Sequence, residues 1–579
     1  MITPMRSYSA RLKSALLPLR KKAPAWSLSV FKSAKWLSLL IPISLYLWLA
    51  LPNLSLPGLH NDEAQEAGLQ AYQLASGQPV TLFRGIGLAG MPIMVQDYIG
   101  ALNVYLVMPF VRQFGPNAVS VRLPFVGFAA LSLVLFFAWI RQQWGFRPAW
   151  VATLLLAVHP GFVFWSRQGV LVAFLTLPLC IALGWLWQTV LQTPTRQQKS
   201  WVWFLLGLLC GIGLYAKLLF IWAINGLFGA WFIINLAKWV LRRTDWQIQD
   251  VRGWLVKLFW GAVGSLLGLL PLLYYNLQSS GTLLSFQGNL SHSYYGVNNA
   301  NLLANLTARI QQMRAVLASR EYFYLFGEQT SNIFWEPTLA VALVLIAFAS
   351  LQKFRKRDQA WQSGMFLLLA FALTFVQSIF TVSDLFHHHL AMLLPWLVCL
   401  VAIGLDSLQK FLPKGKTTQW ASIFMLGVCL LLAGRDIQVS RHYLRELQKT
   451  GGFGTLSDAI YRLAIEMERF PAGSPIVALD WGISQPIRYL TGEQMQPAEL
   501  FGYSWEVDAG FAERLEPYLQ NPNSVYILHW GQETIFPGRR EALSALAEAH
   551  NLQVVSVTSV GRGDGAPFYE VWMLPPKEK

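Results

Sequence analysis

Charged residues are scarce in this sequence: they make up 13% of its 579 residues, against 54% that are hydrophobic. A soluble enzyme of this length carries far more charge, so the composition indicates a multi-pass membrane protein instead. Cysteine is scarce as well. All the cysteines fall inside apolar segments without metal-type spacing, which predicts free buried thiols, because cysteine is often buried as a small hydrophobe: Cys180, Cys210, Cys399 and Cys429.

Acidic residues are scarce only in the first three quarters of the chain. Residues 1–434 hold 32 Lys and Arg but 12 Asp and Glu, whereas residues 435–579 hold 13 and 18. The contrast predicts a membrane part followed by a water-soluble domain. Basic charge can also indicate nucleic-acid binding, but these basic residues lie in short loops between apolar runs. Membrane topology accounts for that placement, so no nucleic-acid partner is expected.

Apolar runs of the length that a spanning helix needs, roughly 20 residues, recur from residue 37 to residue 434. They predict a polytopic α-helical membrane domain over 37–434 with about eleven spans. The predicted spans are 37–53, 119–140, 149–164, 170–191, 201–215, 218–237, 258–277, 337–352, 362–381, 389–408 and 420–434.

Loop charges predict the orientation. Residues 1–36 contain eight Lys and Arg and no acid, which is typical of a basic cytoplasmic tail. With a cytoplasmic amino terminus, the inner side holds 24 of the 32 basic residues of the membrane part, in agreement with the positive-inside rule. Two long loops, 54–118 and 278–336, and the domain 435–579 then lie outside the cell (plasma) membrane. Eight of the twelve acids of the membrane part also fall outside, which indicates work at the outer surface.

The stretch LPGLHNDEAQEAGL, at 56–69, follows directly on the first apolar run and carries Asp62, Glu63 and Glu66. Apolar residues at three- and four-residue spacing predict a short helix that ends at Gly77. Asp62 followed by Gln65 matches a capping box, in which the carboxylate accepts a backbone N–H of the first turn. A catalytic role is the alternative, and the two roles are compatible. Neighbouring helical residues point about 100° apart, so one of Asp62 and Glu63 would face a cleft while the other orients it.

Further motifs follow in order along the membrane part. Arg122-Leu123-Pro124 opens the second span, HPGFVFWSRQG lies between spans 3 and 4, and Leu394-Pro395 stands in a late span. With the Asp62-Glu63 pair and the exported domain, this arrangement resembles the GT-C superfamily of integral-membrane glycosyltransferases. The resemblance is strongest to the protein O-mannosyltransferase/aminoarabinose-transferase group (glycosyltransferase family 39-like), and it covers residues 38–434.

The resemblance implies an inverting transferase that moves a sugar from a polyprenyl-phosphate or polyprenyl-diphosphate carrier to an acceptor on the outer face. Whether the acceptor is protein, lipid or glycan is left open. Asp62 would be the general base on the acceptor hydroxyl, with Glu63 supporting or orienting it. The leaving phosphate needs cations, because negative charge develops on it. Arg167 and Lys217, at span ends, are the preferred phosphate contacts; the alternative for each is a residue that reaches from membrane lipid to water. For Arg122 the alternative to a phosphate contact is a structural role, in which it locks the second span against the loop helices.

The outer-side segment SDLFHHH predicts that His387 and His388 contact headgroups or the donor phosphate. A metal site is less favoured there, because neighbouring side chains on a helix diverge. Many superfamily members carry an acidic pair in the second outer loop for a divalent cation, whereas HPGFVFWSRQG has no carboxylate. No cofactor is therefore certain, and a divalent cation stays open. The Lys-Pro-Pro-like signature of some relatives is replaced by MPIMVQDY, which makes Asp97 an additional substrate-binding candidate.

Beyond Gly434, helical and strand-like segments alternate, which predicts a small α/β domain outside the membrane. ALDWGISQPIRYLTG places Asp480 and Trp481 at a strand end, either for ligand contact or for packing on the membrane part. The alternative functions for the whole chain are a transporter or lipid flippase, and a non-catalytic scaffold. The apolar spans contain almost no acids, unlike those of most transporters, and a scaffold leaves the outer acids unexplained.

Overall fold

The computed structural model describes residues 34–82, 85–169, 172–194, 197–241, 250–291, 301–322, 329–356, 358, 360–380, 387–411, 416–471 and 473–577. Within this part of the chain, an apolar helix occupies the position of every predicted span. Their bounds are Leu40–Ala50, Ala118–Trp144, Phe146–Val158 with Pro160–Ser166, Val172–Gln192, Ser200–Ala216, Ile221–Val240, Asp250–Ser279, Trp335–Arg355, Trp361–Gln377, Leu394–Phe411 and Lys416–Thr450.

Seven of the described helices are long and apolar enough to cross a membrane. Phe146–Val158 with Pro160–Ser166, bent by 60°, makes an eighth if the pair is one span. Shorter apolar helices stand at the remaining predicted positions: Trp36–Ala50, Leu177–Gln192 and Ser200–Ala216. The polytopic helical membrane fold with a small sheet domain is therefore confirmed, while the number of spans stays a prediction.

The last apolar helix runs on past the predicted domain boundary at Gly434 and ends at Thr450. Its polar second half has partners that keep it helical. Asp436 accepts hydrogen bonds from Asn332 and from the indole of Trp335. Tyr443 donates to the backbone oxygens of Ser319 and Thr330, at 2.7 and 2.8 Å. The helix thus joins the membrane part directly to the terminal domain.

The first outer loop folds into a helix and a small sheet. The helix, called the loop helix below, comprises an α turn Asn61–Glu63, a π turn Ala64–Gly68 and an α segment Leu69–Ser76. Gly77 ends it with φ 70°, a left-handed conformation that glycine adopts without steric cost, so the predicted stop is confirmed. An antiparallel sheet follows, β1 Ile86–Leu88, β2 Met91–Gln96 and β3 Ile99–Gly100, and then the helix Leu102–Phe114.

Three shorter helices lie between the later membrane helices in the described part of the chain: Gly281–Ser291, Leu302–Ala318 and His387–Leu390. The terminal domain holds a five-stranded mixed sheet in the order β5-β4-β6-β8-β7. β4 is parallel to β5 and β6, whereas β8 is antiparallel to β6 and β7. The strands are β4 Ile476–Ala478, β5 Ala498–Glu499, β6 Val525–His529, β7 Val555–Gly561 and β8 Pro567–Met573, and the helices are Ala459–Met467, Ser484–Leu490, Phe511–Leu519 and Arg539–Ala549.

One hydrophobic core extends from the membrane helices into this domain. Tyr46 of the first helix, Ala67 of the loop helix and Ile460 and Tyr489 of the terminal domain are all buried in it. Hydrogen bonds cross the same boundary: the Gly58 N–H donates to Leu456 at 2.7 Å. The loop helix therefore lies between the membrane part and the terminal domain, and both parts fix its position.

Candidate active site

The loop helix begins at Asn61, and His60 caps it. The backbone at His60 is extended, its Nδ1 accepts the Asp62 N–H at 3.1 Å, and its own N–H donates to Glu63 Oε2 at 3.0 Å. The predicted cap at Asp62 is wrong, because Asp62 already lies inside the first turn, and Gln65 accepts from the Asn61 side chain instead. Asp62 is therefore not needed for capping, and its side chain is 32% exposed.

Glu63 points away from solvent into a buried salt bridge with Arg122. Glu63 Oε2 lies 2.6 Å from Arg122 Nη2, both side chains are fully buried, and Arg122 Nε donates to Oε1 at 2.8 Å. The Gly169 N–H also donates to Oε1, at 2.6 Å. Burial raises the pKa of the Glu63 carboxyl, but Arg122 and the N–H donors outweigh it, so the pKa lies below its usual value. Four donors occupy this carboxylate, so Glu63 ties the loop helix to Arg122 and Gly169.

The need for glycine at the end of HPGFVFWSRQG follows from this contact. A Cβ at Gly169 would stand 2.5 Å from Val121 Cγ1 and 3.1 Å from Glu63 Oε1. Any side chain there would push the backbone N–H away from the carboxylate. The motif thus serves the Glu63–Arg122 pair, which brings together three segments that are distant in sequence.

Arg122 and Arg167 together hold the segment 52–58, through which the chain leaves the first membrane helix. Arg122 donates to the backbone oxygens of Leu54, Pro57 and Gly58 at 2.8 to 3.0 Å. Arg167 Nη2 donates to those of Pro52 and Asn53 at 2.7 and 2.6 Å. Both guanidinium groups are fully buried. The lock predicted as the alternative role of Arg122 is confirmed. Arg167 binds the same segment through Nη2 alone, and among the described residues its buried Nε and Nη1 have no hydrogen-bond partner. Its contact with phosphate stays a prediction.

Glu66 is the third acid of the loop helix, and the sequence predicted no catalytic or binding role for it. It lies four residues after Asp62 in the π turn, and it is only 5% exposed. Gln96 donates to its Oε1 at 3.4 Å, and within the described residues its buried Oε2 has no hydrogen-bond partner. The four-residue spacing between Asp62 and Glu66 is close to one helical turn, and it was the signal in the sequence that could have linked the two acids. Asp62 and Glu66 therefore share a face, whereas Asp62 and Glu63 do not.

Lys217 lies at the edge of the small sheet, next to β3, and Gln96 of β2 in the same sheet contacts Glu66. Its backbone forms a bridge with Ile99 of β3, and the next N–H, of Leu218, donates to Tyr98. The side chain is 9% exposed, and it is close enough to Glu66 to act on it electrostatically. No salt bridge of Lys217 occurs among the residues that the structure describes. Of the two predicted phosphate contacts, Lys217 is the one that the fold places beside the acids.

Asp97, in the turn between β2 and β3, is tied to the long membrane helix Asp250–Ser279. Tyr275 donates to its Oδ1 at 2.5 Å, and Thr282 donates to its backbone oxygen at 2.5 Å. Asp97 therefore anchors the small sheet, and its role in substrate binding stays a prediction. The side chains of His387 and His388 lie outside the described residues.

The terminal domain closes one side of the site. The Trp481 ring lies 5.3 Å from the ring of His60 at an edge-on angle of 68°. Asp480 faces inward, accepting from the backbone of Ile535 and lying 2.8 Å from His529 Nδ1. The strand-end motif thus packs on the loop helix through Trp481. In the described ranges, no group of three or more His, Cys, Asp or Glu is placed to hold a metal ion, and a divalent cation stays an open expectation.

Comparison with known proteins identifies this architecture. The profile of the family described as dolichyl-phosphate-mannose-protein mannosyltransferase matches residues 102–265. The fold is similar to the crystal structure of ArnT from Cupriavidus metallidurans bound to undecaprenyl phosphate, with a TM-score of 0.56 and 12% identity over 93% of this chain and 98% of that one. The chain has the GT-C glycosyltransferase fold.

A second GT-C structure is similar over much of its length. It is the archaeal oligosaccharyltransferase AglB from Archaeoglobus fulgidus in complex with an inhibitory peptide and a dolichol-phosphate, with a TM-score of 0.53 and 12% identity over 87% of this chain and 70% of that one. No curated protein sequence matches the chain significantly. The partial family match and the shared fold together indicate a membrane glycosyltransferase, as the sequence predicts.

Proposed function

We propose that this GT-C protein transfers a sugar from a polyprenyl-phosphate-linked donor to an acceptor on the outer face of the membrane, with inversion and with Asp62 as the base. The observation that carries the proposal is that two neighbouring acids of the loop helix have different surroundings. Glu63 is committed to Arg122, whereas the neighbouring Asp62 is partly exposed and free of capping.

The surroundings of Asp62 support a role as general base. It stands in the first turn of a helix that is fixed from below by the Glu63–Arg122 pair and from the side by Trp481. A rigid support of this kind keeps the carboxylate in place for the acceptor hydroxyl. A positioned base typically accelerates proton transfer about 10²–10⁴-fold.

The reaction is a single displacement at the anomeric carbon. The acceptor oxygen attacks that carbon while its proton passes to Asp62. The bond between the sugar carbon and the phosphate oxygen breaks, and its electron pair stays on the polyprenyl phosphate. Attack from the face opposite the leaving group inverts the configuration.

Lys217 is the residue that would neutralise the developing phosphate charge. It follows directly on the helix Ser200–Ala216, and it acts electrostatically on Glu66. A fixed cation at the place where charge develops is an effective source of transition-state stabilisation. Undecaprenyl phosphate in ArnT and dolichol-phosphate in AglB support a lipid-linked donor for this fold. The inhibitory peptide of AglB supports an acceptor site, without choosing among protein, lipid and glycan.

The orientation is proposed from loop charge. The basic tail and inner loops place the amino terminus in the cytoplasm of a cell whose plasma membrane the chain spans, following the positive-inside rule. The loop helix and the terminal domain would then both lie outside. Proteolysis of intact cells, which removes the terminal domain only if it is external, tests this placement.

Sugar transfer by the purified full-length protein tests the chemistry. The donor is a pool of radiolabelled polyprenyl-linked sugars extracted from the source membranes, and the source envelope fraction supplies acceptors. We expect wild-type transfer and a loss of at least about 10²-fold in Asp62→Asn. Asp564→Asn, in an exposed turn of the terminal domain, is the matched control and should transfer normally. Wild-type rates in Asp62→Asn would remove Asp62 as the base, and no transfer from any donor by the wild type would overturn the function.

A further inference from the structure

Glu66 is a buried acid for which the transfer reaction has no direct use. It belongs to a π turn, a rare backbone arrangement that often occurs at functional sites. Burial of a carboxyl group with one oxygen unpartnered is costly unless the group is neutral or meets a ligand. The Gln96 amide, at 3.4 Å, is a long contact and does not compensate for this.

The charged groups around Glu66 come from three directions. Asp62 lies on the same helix, Lys217 lies at the edge of the small sheet, and both act on Glu66 electrostatically. Glu63, next to it in the first turn, is neutralised by Arg122. Three further helices pack against the π turn, and their ionisable side chains are Tyr105, Arg112, Arg122, Arg141, Arg488 and Tyr489. Arg141 does not face Glu66, because it stands 19 residues after Arg122, about 28 Å along the same helix.

The aromatic members of that set already have partners. The Tyr105 hydroxyl donates to the backbone oxygen of Pro92 at 2.5 Å, and the Tyr489 hydroxyl donates to that of Asn117 at 3.1 Å. Asp62 and Lys217 are therefore the charges that decide the protonation of Glu66. Burial raises the pKa of the Glu66 carboxyl, Asp62 raises it further, and Lys217 lowers it less, so the pKa lies well above its usual value.

We infer that Glu66 is a positioning residue that keeps a proton, so that the positive charge of Lys217 remains available to the donor phosphate. The inference rests on the proposed function, because it assigns the phosphate to Lys217. A neutral Glu66 leaves the positive charge of Lys217 without an opposing charge on its neighbour. An ionised Glu66 would add a second negative charge beside Lys217 and would repel the phosphate.

The sign of the pH effect follows. On this inference the Glu66 carboxyl, whose pKa is raised chiefly by burial, holds its proton at neutral pH and loses it as the pH rises. Affinity for a polyprenyl phosphate should therefore fall on the alkaline side. In Glu66→Gln the side chain has nearly the same size and no charge at any pH, so this alkaline loss should disappear.

Binding of undecaprenyl phosphate to the full-length protein in detergent, measured from neutral to alkaline pH, tests the inference. We expect the wild type to lose about tenfold in affinity more than Glu66→Gln does, the order for one unit charge about 12 Å away at an effective dielectric of about 20. Ionisation of the lipid phosphate itself is common to both proteins and cancels in the comparison. Glu66→Asp keeps an acid and should keep the alkaline loss.

The matched control is Glu499→Gln, which neutralises a carboxyl of the terminal domain whose pKa is also raised by burial. It should retain the wild-type pH profile. Glu66→Met, unbranched and neutral, replaces Glu66→Gln if the amide prevents folding, as judged by thermal unfolding. Identical pH profiles in the wild type and in the folded neutral variant of Glu66, whether Glu66→Gln or Glu66→Met, would overturn the inference while leaving the proposed function intact. Failure of the wild type to bind undecaprenyl phosphate at every pH would instead count against the proposed donor.

Discussion

Glu63 and Arg122, 59 positions apart, form a fully buried salt bridge in which Oε2 lies 2.6 Å from Nη2. The pair joins the loop helix to the second membrane helix at the level where the chain leaves the first one. Arg122 also holds three backbone oxygens of the segment 52–58. Glu63, the sequence neighbour of the candidate base Asp62, thus fixes the helix that carries Asp62.

Arg122→Met should destabilise the protein severely. It leaves the Glu63 carboxylate buried without its cation, and breaking a buried pair in this way costs about 3–5 kcal/mol. Thermal unfolding of the purified protein measures the loss. Arg314→Met is the control, because Arg314 pairs with Glu336 with its side chain 57% exposed, where about 0–1 kcal/mol is expected. Equal losses in the two variants would contradict the structural role of the pair.

Gly169→Ala should disturb the same pair from its other side. The added Cβ would meet Val121 Cγ1 at 2.5 Å, so the backbone must shift and the N–H bond to Glu63 must lengthen. We expect a loss of stability of about 1–3 kcal/mol from overpacking, together with slower transfer. Gly127→Ala, with no atom within 4 Å of its Cβ, lies inside the second membrane helix and should fold and transfer normally. A Gly169→Ala protein that behaves like Gly127→Ala would refute the close approach.

His60 and Asp62 should separate stability from catalysis. His60→Ala removes the cap of the loop helix, at a cost of about 1 kcal/mol, whereas Asp62→Asn leaves that cap in place. Thermal unfolding should therefore change in His60→Ala and stay near the wild type in Asp62→Asn. The transfer rate should fall most in Asp62→Asn. The reverse order of stabilities would restore Asp62 as the cap.

Lys217→Gln should weaken the binding of undecaprenyl phosphate. A hydrogen bond to a charged group contributes about 1.5–3 kcal/mol, which corresponds to about a tenfold or larger loss of affinity. Lys257→Gln is the control, since Lys257 is a buried lysine beside Trp254 in another helix. Unchanged affinity in Lys217→Gln would assign the phosphate to another cation.

Trp481→Ala tests whether the terminal domain supports the site. An edge-on aromatic contact is worth about 0.5–1.5 kcal/mol, so unfolding should change modestly while the turnover number falls, because His60 and the helix start lose their support. Trp505→Ala removes an exposed tryptophan of the same domain, 53% accessible, whose ring packs against Phe536 at 5.4 Å, so it should cost a similar modest stability while the turnover number stays unchanged. Equal turnover numbers in the two variants would limit the domain to a role outside catalysis.

Local patterns in the sequence were sufficient for much of the fold. Apolar runs predicted the position of each described membrane helix, because the period and length of a helix are local properties. Gly77 predicted the end of the loop helix, and the alternation of helical and strand-like segments beyond Gly434 predicted the small α/β domain. The small sheet β1–β3 escaped prediction, since its strands are short and rich in glycine and methionine. The short strand β5 escaped as well, because it has only two residues.

The candidate site depended on contacts that local pattern does not contain. The sequence by itself determined that three acids follow the first span and that the loop around them lies between apolar helices. Only the tertiary structure decided their roles. Arg122, 59 residues away, takes Glu63 out of the cleft, His60 takes the cap from Asp62, and Lys217 meets Glu66 through a sheet that joins distant segments. Ion pairs and burial depend on which segments meet in space. The three acids could therefore be found in the sequence, but the different role of each could not.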